Sequence, residues 1–147
     1  MRKYLSLFAL SLLLASGAFA QTAAEIEQLL ALDSVNYEQA AWLVLRAADL
    51  PVTSPAGAYS YAAEQKWLPA KAASDSSASL DGVSLLVMES FGLKGGLFYS
   101  LAKNPHYAYR ELVYKDIIRG RTDPGMAVSG DLLHFMVSEV LSAVEGN

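Results

Sequence analysis

The chain has 147 residues, of which 53% are hydrophobic and 18% charged, with a formal net charge of −4 and no cysteine. That length suits one domain and is short for two. The lack of cysteine excludes disulfides, thiol chemistry and a lipid-modified cysteine, and the acidic balance speaks against a general nucleic-acid binder, which would be basic.

Arg2 and Lys3 form a short basic segment, Leu5 to Leu14 are apolar apart from two serines, and Ala18-Phe19-Ala20 has the small-x-small pattern of a signal-peptidase site. Residues 1–20 therefore read as a signal peptide, with an uncleaved membrane anchor as the alternative. The apolar run falls short of the roughly 20 residues of a spanning helix. The mature domain is expected to span 21–147, starting at Gln21, exported to the periplasm or cell surface and without a membrane span. Without Arg2 and Lys3, nine Lys+Arg stand against fifteen Asp+Glu, a mature charge of −6.

Six segments read as helices. Thr22 and Glu25 have capping-box spacing and open the first, to about residue 32. Asn36 and Gln39 repeat that spacing and open the second, to about residue 48, whose Ala40, Ala41, Trp42, Leu43, Val44 and Leu45 predict deep burial. Ser54-Pro55 is a cap followed by proline at the first helical position, predicting a third helix over about 56–67 that stops before Pro69. Ser79 caps the fourth, to Phe91, with Gly92 as its C-terminal stop. Gly95-Gly96 opens a flexible connection, and residues 97–101 leave room for a short strand pairing. The fifth helix is expected over 107–119, closed by Gly120. Asp123-Pro124-Gly125 is a turn, and Ser129 caps the last helix, to about residue 144. No segment sustains a period of two, so the fold class is all-α: a small bundle of about six helices.

The caps recur. Val35-Asn36, Ala78-Ser79 and Val128-Ser129 each precede an apolar helix, at separations of 43 and 50 residues, a period that signals stacked helix-loop-helix repeats. Shorter aromatic helices precede the second and third: Tyr59, Tyr61, Ala62, Glu64, Trp67 and Leu68 match Tyr107, Tyr109, Glu111 and Leu112 in character. Residues 107–141 are expected to form a helical hairpin, with Ile117 and Ile118 packed near Leu132, Leu133 and Met136.

Glu111-Leu-Val-Tyr-Lys-Asp-Ile-Ile-Arg-Gly120, Asp123-Pro-Gly and Val128-Ser-Gly-Asp-Leu132, with Tyr107-Ala108 as an aromatic-Ala opening, resemble the S-layer homology (SLH) repeat. The resemblance covers 107–141 best, 58–92 more weakly, and 35–48 as a second helix alone. It implies a helical repeat fold and an envelope setting. The family's groove for anionic cell-wall polysaccharide uses a Thr-Arg-Ala-Glu motif. At its arginine this chain has Tyr37, Leu80 and Gly130, so the family's ligand does not carry over.

No catalytic constellation stands out. His106 and His134 are the sole histidines, too few for a metal site. There is no Gly-x-Ser-x-Gly elbow and no phosphate loop, and neither cofactor nor metal is expected. Glu64, Glu89, Glu111 and Asp131 are the carboxylates available to a hydrolytic pair. Two features remain. The tyrosines cluster on the short helices, where core packing with surface-reaching hydroxyls competes with an aromatic groove. Lys103, Arg110, Lys115, Arg119 and Arg121 make a locally basic stretch, either a solvated face or an anionic contact. The candidate binding face is Tyr107, Tyr109, Arg110, Tyr114, Lys115, Arg119 and Arg121. The expected function is a non-catalytic envelope interaction module that binds an envelope polymer or protein. The alternative is a small periplasmic carboxylate enzyme acting on peptidoglycan or polysaccharide.

Overall fold

The computed structural model describes residues 23–146. The signal peptide, the mature start at Gln21 and the Thr22 cap lie outside the described residues. Within them, seven helices follow one another without a strand. They are α1 (residues 23–30), α2 (Tyr37–Ala47), α3 (Pro55–Glu64), α4 (Leu80–Ser90), α5 (Leu97–Leu101), α6 (Pro105–Tyr114) and α7 (Gly130–Glu145). The fold is a small all-α bundle, and no described helix is long and apolar enough to cross a membrane. At 97–101, where the sequence leaves room for a short strand pairing, the chain forms the short helix α5.

Side-chain caps set the starts of α2, α3, α4, α6 and α7. Asn36 accepts from Gln39 N at 2.8 Å while Gln39 Oε1 accepts from Asn36 N at 2.9 Å, a complete capping box. Ser54, Ser79 and Ser129 accept from Gly57, Gly82 and Leu132. One start differs from the expected residue 107: Asn104 caps α6 through Tyr107 N at 3.0 Å, with Pro105 in the first turn, so α6 begins before Tyr107.

The ends follow a rule the sequence hides. Asp49, Lys66, Gly92 and Asp116 all have φ near +60°. At each, the next amide reaches back to a carbonyl five residues earlier: Leu50 to Leu45, Trp67 to Ala62, Leu93 to Met88 and Ile117 to Leu112, at 2.9–3.0 Å. These are Schellman ends, in which an apolar residue folds back over the last turn and offsets the strain of a left-handed residue. They stop α3 at Glu64 and α6 at Tyr114, short of the expected 67 and 119. Gly120, at φ +80°, belongs to the following loop and not to the helix end.

The repeat is visible in the backbone. Val35 N donates to Val128 O at 2.8 Å, Ala78 N to Val35 O at 2.9 Å, and Val128 N to Ala78 O at 3.0 Å, a closed ring of three bonds between the three residues that precede the caps. All three are fully buried. Just outside the ring, Tyr37 N, Leu80 N and Gly130 N donate to Ser76 O, Met126 O and Leu32 O. The orphan amides of each inner helix are thus satisfied by the loop of a neighbouring unit. The left-handed residues keep the same offsets: Asp49 to Gly92 is 43, and Lys66 to Asp116 is 50. Tyr59 and Tyr109, also 50 apart, donate to the carbonyls of Ala72 and Thr122, each 13 residues on. Tyr59 therefore matches Tyr109, not Tyr107. The extra seven residues of the longer period fall in one place: the link between α2 and α3 is 48–54, whereas that between α4 and α6 is 91–104 and contains α5.

Packing departs from the expected hairpin. α6 packs on α4, and α3 on α2, so each short helix pairs with the long helix before it; α6 and α7 are not a packed pair. α2 also contacts α4 and α7. Burial follows this packing. α4, held by α2 on one side and α6 on the other, buries Leu80 and every residue from 82 to 88. α2 keeps an outer face, with Trp42 and Leu43 half-buried.

Candidate functional site

The basic face divides once its neighbours are known. Tyr109 is half-buried, its hydroxyl bonded to Thr122 O and 2.7 Å from Thr122 Oγ1, so it ties α6 to the loop. Arg119 is also engaged: its guanidinium donates to Glu139 at 2.6 Å and to Asp116 at 3.2 Å, and lies 5.5 Å from the centre of the Phe135 ring. It fastens the loop after α6 onto α7. Apart from Tyr107, the remaining residues are open. Arg110, Lys115 and Arg121 are exposed and enter none of the ion pairs among the described residues. Tyr114 is 87% exposed, far beyond what a core tyrosine needs. Tyr107 is half-buried, its ring stacked on Phe98 with centroids 5.8 Å apart. Ala108 and Leu112 take the buried side of α6, which leaves Tyr107, Arg110, Glu111 and Tyr114, spaced i, i+3, i+4 and i+7, on the opposite face.

Two of the four carboxylates converge on the excursion that carries α5. Glu89 of α4 accepts from the Tyr99 hydroxyl and pairs with Lys103 at 3.2 Å. Glu111 of α6 accepts from Gly96 N at 2.8 Å, satisfying the start of α5, which has no side-chain cap of its own. Tyr99 is buried between them. Burial above all, then the hydrogen bond to Glu89 and the charges of Glu89 and Glu111, push its phenol well above the ordinary value of 10.0, so it stays neutral and acts as a donor. Glu89, Lys94, Tyr99, Ser100 and Lys103 line an open pocket of about 420 Å³. Glu64 and Asp131 are exposed elsewhere, at the end of α3 and in the first turn of α7. No group of three or more His, Asp or Glu among the described residues could hold a metal ion.

The positions that the resemblance sets at the SLH arginine are all inside: Tyr37 and Gly130 are buried and Leu80 is fully buried. The Tyr37 hydroxyl lies 3.0 Å from Ser79 Oγ, bracing the next helix cap. Sequence reasoning missed two surfaces. One is the solvent face of α5. The other is a groove between α1 and α2, lined by Ile26, Leu29, Trp42 and Leu43, where Arg46 sits 4.6 Å over the Trp42 ring.

The charges are segregated. Residues 94–121 hold six Lys/Arg against two Asp/Glu, while the rest of 23–146 holds three against thirteen. No protein-family model, curated protein or solved structure matches the chain.

Proposed function

We propose that this protein is a non-catalytic interaction module of the cell envelope, exported by its N-terminal segment, that contacts an anionic envelope component through α6 and its flanks. The single observation that carries this reading is the charge segregation: a net charge of +4 over residues 94–121 against −10 over the rest of 23–146. Arg110, Lys115 and Arg121 are exposed and unpaired among the described residues, beside the open ring of Tyr114. A cationic surface on an acidic body orients the protein toward a polyanion and repels the wrong face. An envelope polymer or an acidic envelope protein fits that chemistry. The ring of three backbone bonds supports the reading of SLH-like repeats, while the burial of Tyr37, Leu80 and Gly130 argues for a contact surface other than the family's groove.

The test is capture from envelope extract on immobilised protein over a salt series. Arg110→Ala, Lys115→Ala and Arg121→Ala together should abolish most salt-sensitive capture without moving the melting temperature. Undiminished capture by the triple variant refutes the reading. The enzymatic alternative draws on Glu89, which lines a pocket with Glu111 nearby. Lysis of cell-wall substrate in a zymogram, abolished by Glu89→Gln, would favour it.

A further inference from the structure

The helix α5 is inside out. Tyr99 is 2% exposed, whereas Leu97, Phe98 and Leu101 are 71%, 67% and 76% exposed. At about 100° per residue, those three side chains share one arc of about 100°, with Tyr99 turned away from it. Stacking of Phe98 on Tyr107 joins this arc to the outer face of α6, which runs on to Tyr114. The seven extra residues of the longer repeat account for the whole feature, since the link 48–54 makes the corresponding passage without it. The bonds of Glu89 to Tyr99 and Lys103, and of Glu111 to Gly96, hold α5 from beneath. The result is a braced apolar knob, with Lys94, Lys103, Arg110 and Lys115 exposed on the adjoining segments.

We infer that α5 is an interfacial anchor that docks the protein on the surface of an anionic phospholipid bilayer. Leu97, Phe98 and Leu101 enter the boundary between headgroups and acyl chains, while Arg110, Lys115 and Lys94 lie against lipid phosphates. This rests on the reading of an anionic envelope contact and names its partner. Two arguments select a bilayer. A second copy would bring one cationic face against another. A stable protein interface takes about 20–30 residues from each side, whereas the exposed apolar side chains here are three, on a helix of five residues. An interfacial anchor needs only a few large apolar groups with cations beside them. An anionic polymer would satisfy the cations and leave three large apolar side chains in water.

Flotation with lipid vesicles tests this, using purified protein whose N-terminus is fixed by mass spectrometry and is the same in every variant. Binding is expected to vesicles containing phosphatidylglycerol and not to vesicles of phosphatidylcholine alone. Leu97→Ser with Leu101→Ser should lower partitioning at least about tenfold, with an unchanged melting temperature, since neither side chain is packed. Removing Arg110 and Lys115 should lower it about fivefold each at low salt. Absence of binding to phosphatidylglycerol vesicles overturns the inference. If salt-sensitive capture of an envelope polymer or protein persists, the wider reading stands; if it is also absent, both fall. A dimer in sedimentation that dissociates in the Leu97→Ser, Leu101→Ser variant, without vesicle binding, would assign the face to a second copy instead.

Discussion

Replacement of Gly130 by alanine probes the closure of the repeat ring. Gly130 opens α7 against the carboxyl end of α1. A Cβ there would stand 1.7 Å from Leu29 O, 2.6 Å from Leu29 C and 3.1 Å from Leu30 Cα. All three are backbone atoms, so no side-chain rotation relieves the clash. Reaching an ordinary separation near 3.5 Å requires the end of α1 to retreat by about 2 Å. Overpacking of this kind costs about 1–3 kcal/mol. The retreat also breaks the bond from Gly130 N to Leu32 O, 2.9 Å long, adding about 1 kcal/mol. Alanine recovers up to about 1 kcal/mol of helix propensity, less in a first turn. The net expectation is a loss of about 2–3 kcal/mol, or a melting temperature lower by about 10 °C for a domain of this size. Urea and thermal melts followed by circular dichroism measure it. Gly125→Ala is the control: its Cβ would meet only the Asp123 carboxylate, at 3.3 Å, so a change under about 0.5 kcal/mol is expected. A Gly130→Ala protein as stable as the control would show that α1 does not abut α7, and the docking of the first unit on the third would have to be abandoned.

Gly120→Val tests the loop after α6: with φ at +80° and no neighbour within 4 Å of a built Cβ, the penalty is backbone strain alone, about 1–3 kcal/mol. An unchanged urea midpoint would be incompatible with that conformation. Tyr99 makes stability depend on alkaline pH. Because its phenol is pushed above the ordinary value of 10.0, the folded state holds its proton where the unfolded chain has released it. Its contribution is therefore complete below pH 10 and is lost as pH rises above that value. Urea midpoints between pH 9 and 11.5 should fall less steeply in Tyr99→Phe than in the parent, and equal slopes would remove Tyr99 from the account.

Much of the fold was written locally. Asn36, Ser54, Ser79 and Ser129 are caps because a short polar side chain one residue before an apolar run can satisfy the first free amides, and that chemistry needs no knowledge of the rest of the chain. The spacing of caps by 43 and 50 residues also survived into the ring of Val35, Ala78 and Val128. The helix ends did not show in the same way. Asp49, Lys66 and Asp116 adopt a conformation that glycine would advertise, and what holds them there is the apolar residue that follows, folded onto the core. The candidate face was partly legible. Arg110, Lys115, Arg121 and Tyr114 stand open, whereas Arg119 and Tyr109, the same residue types a few positions away, are occupied by Glu139 and Thr122.

The sequence by itself determined that the chain is helical, where four of its helices begin, and that its cations are concentrated in one stretch, because composition, capping and charge act over a few residues. Only the tertiary structure decided that α6 lies on α4 and not on α7, that Glu89 and Glu111 brace the same short helix, and that Leu97, Phe98 and Leu101 face solvent. Those outcomes depend on which faces meet across tens of residues. An apolar side chain carries no local sign of whether a neighbouring helix will cover it.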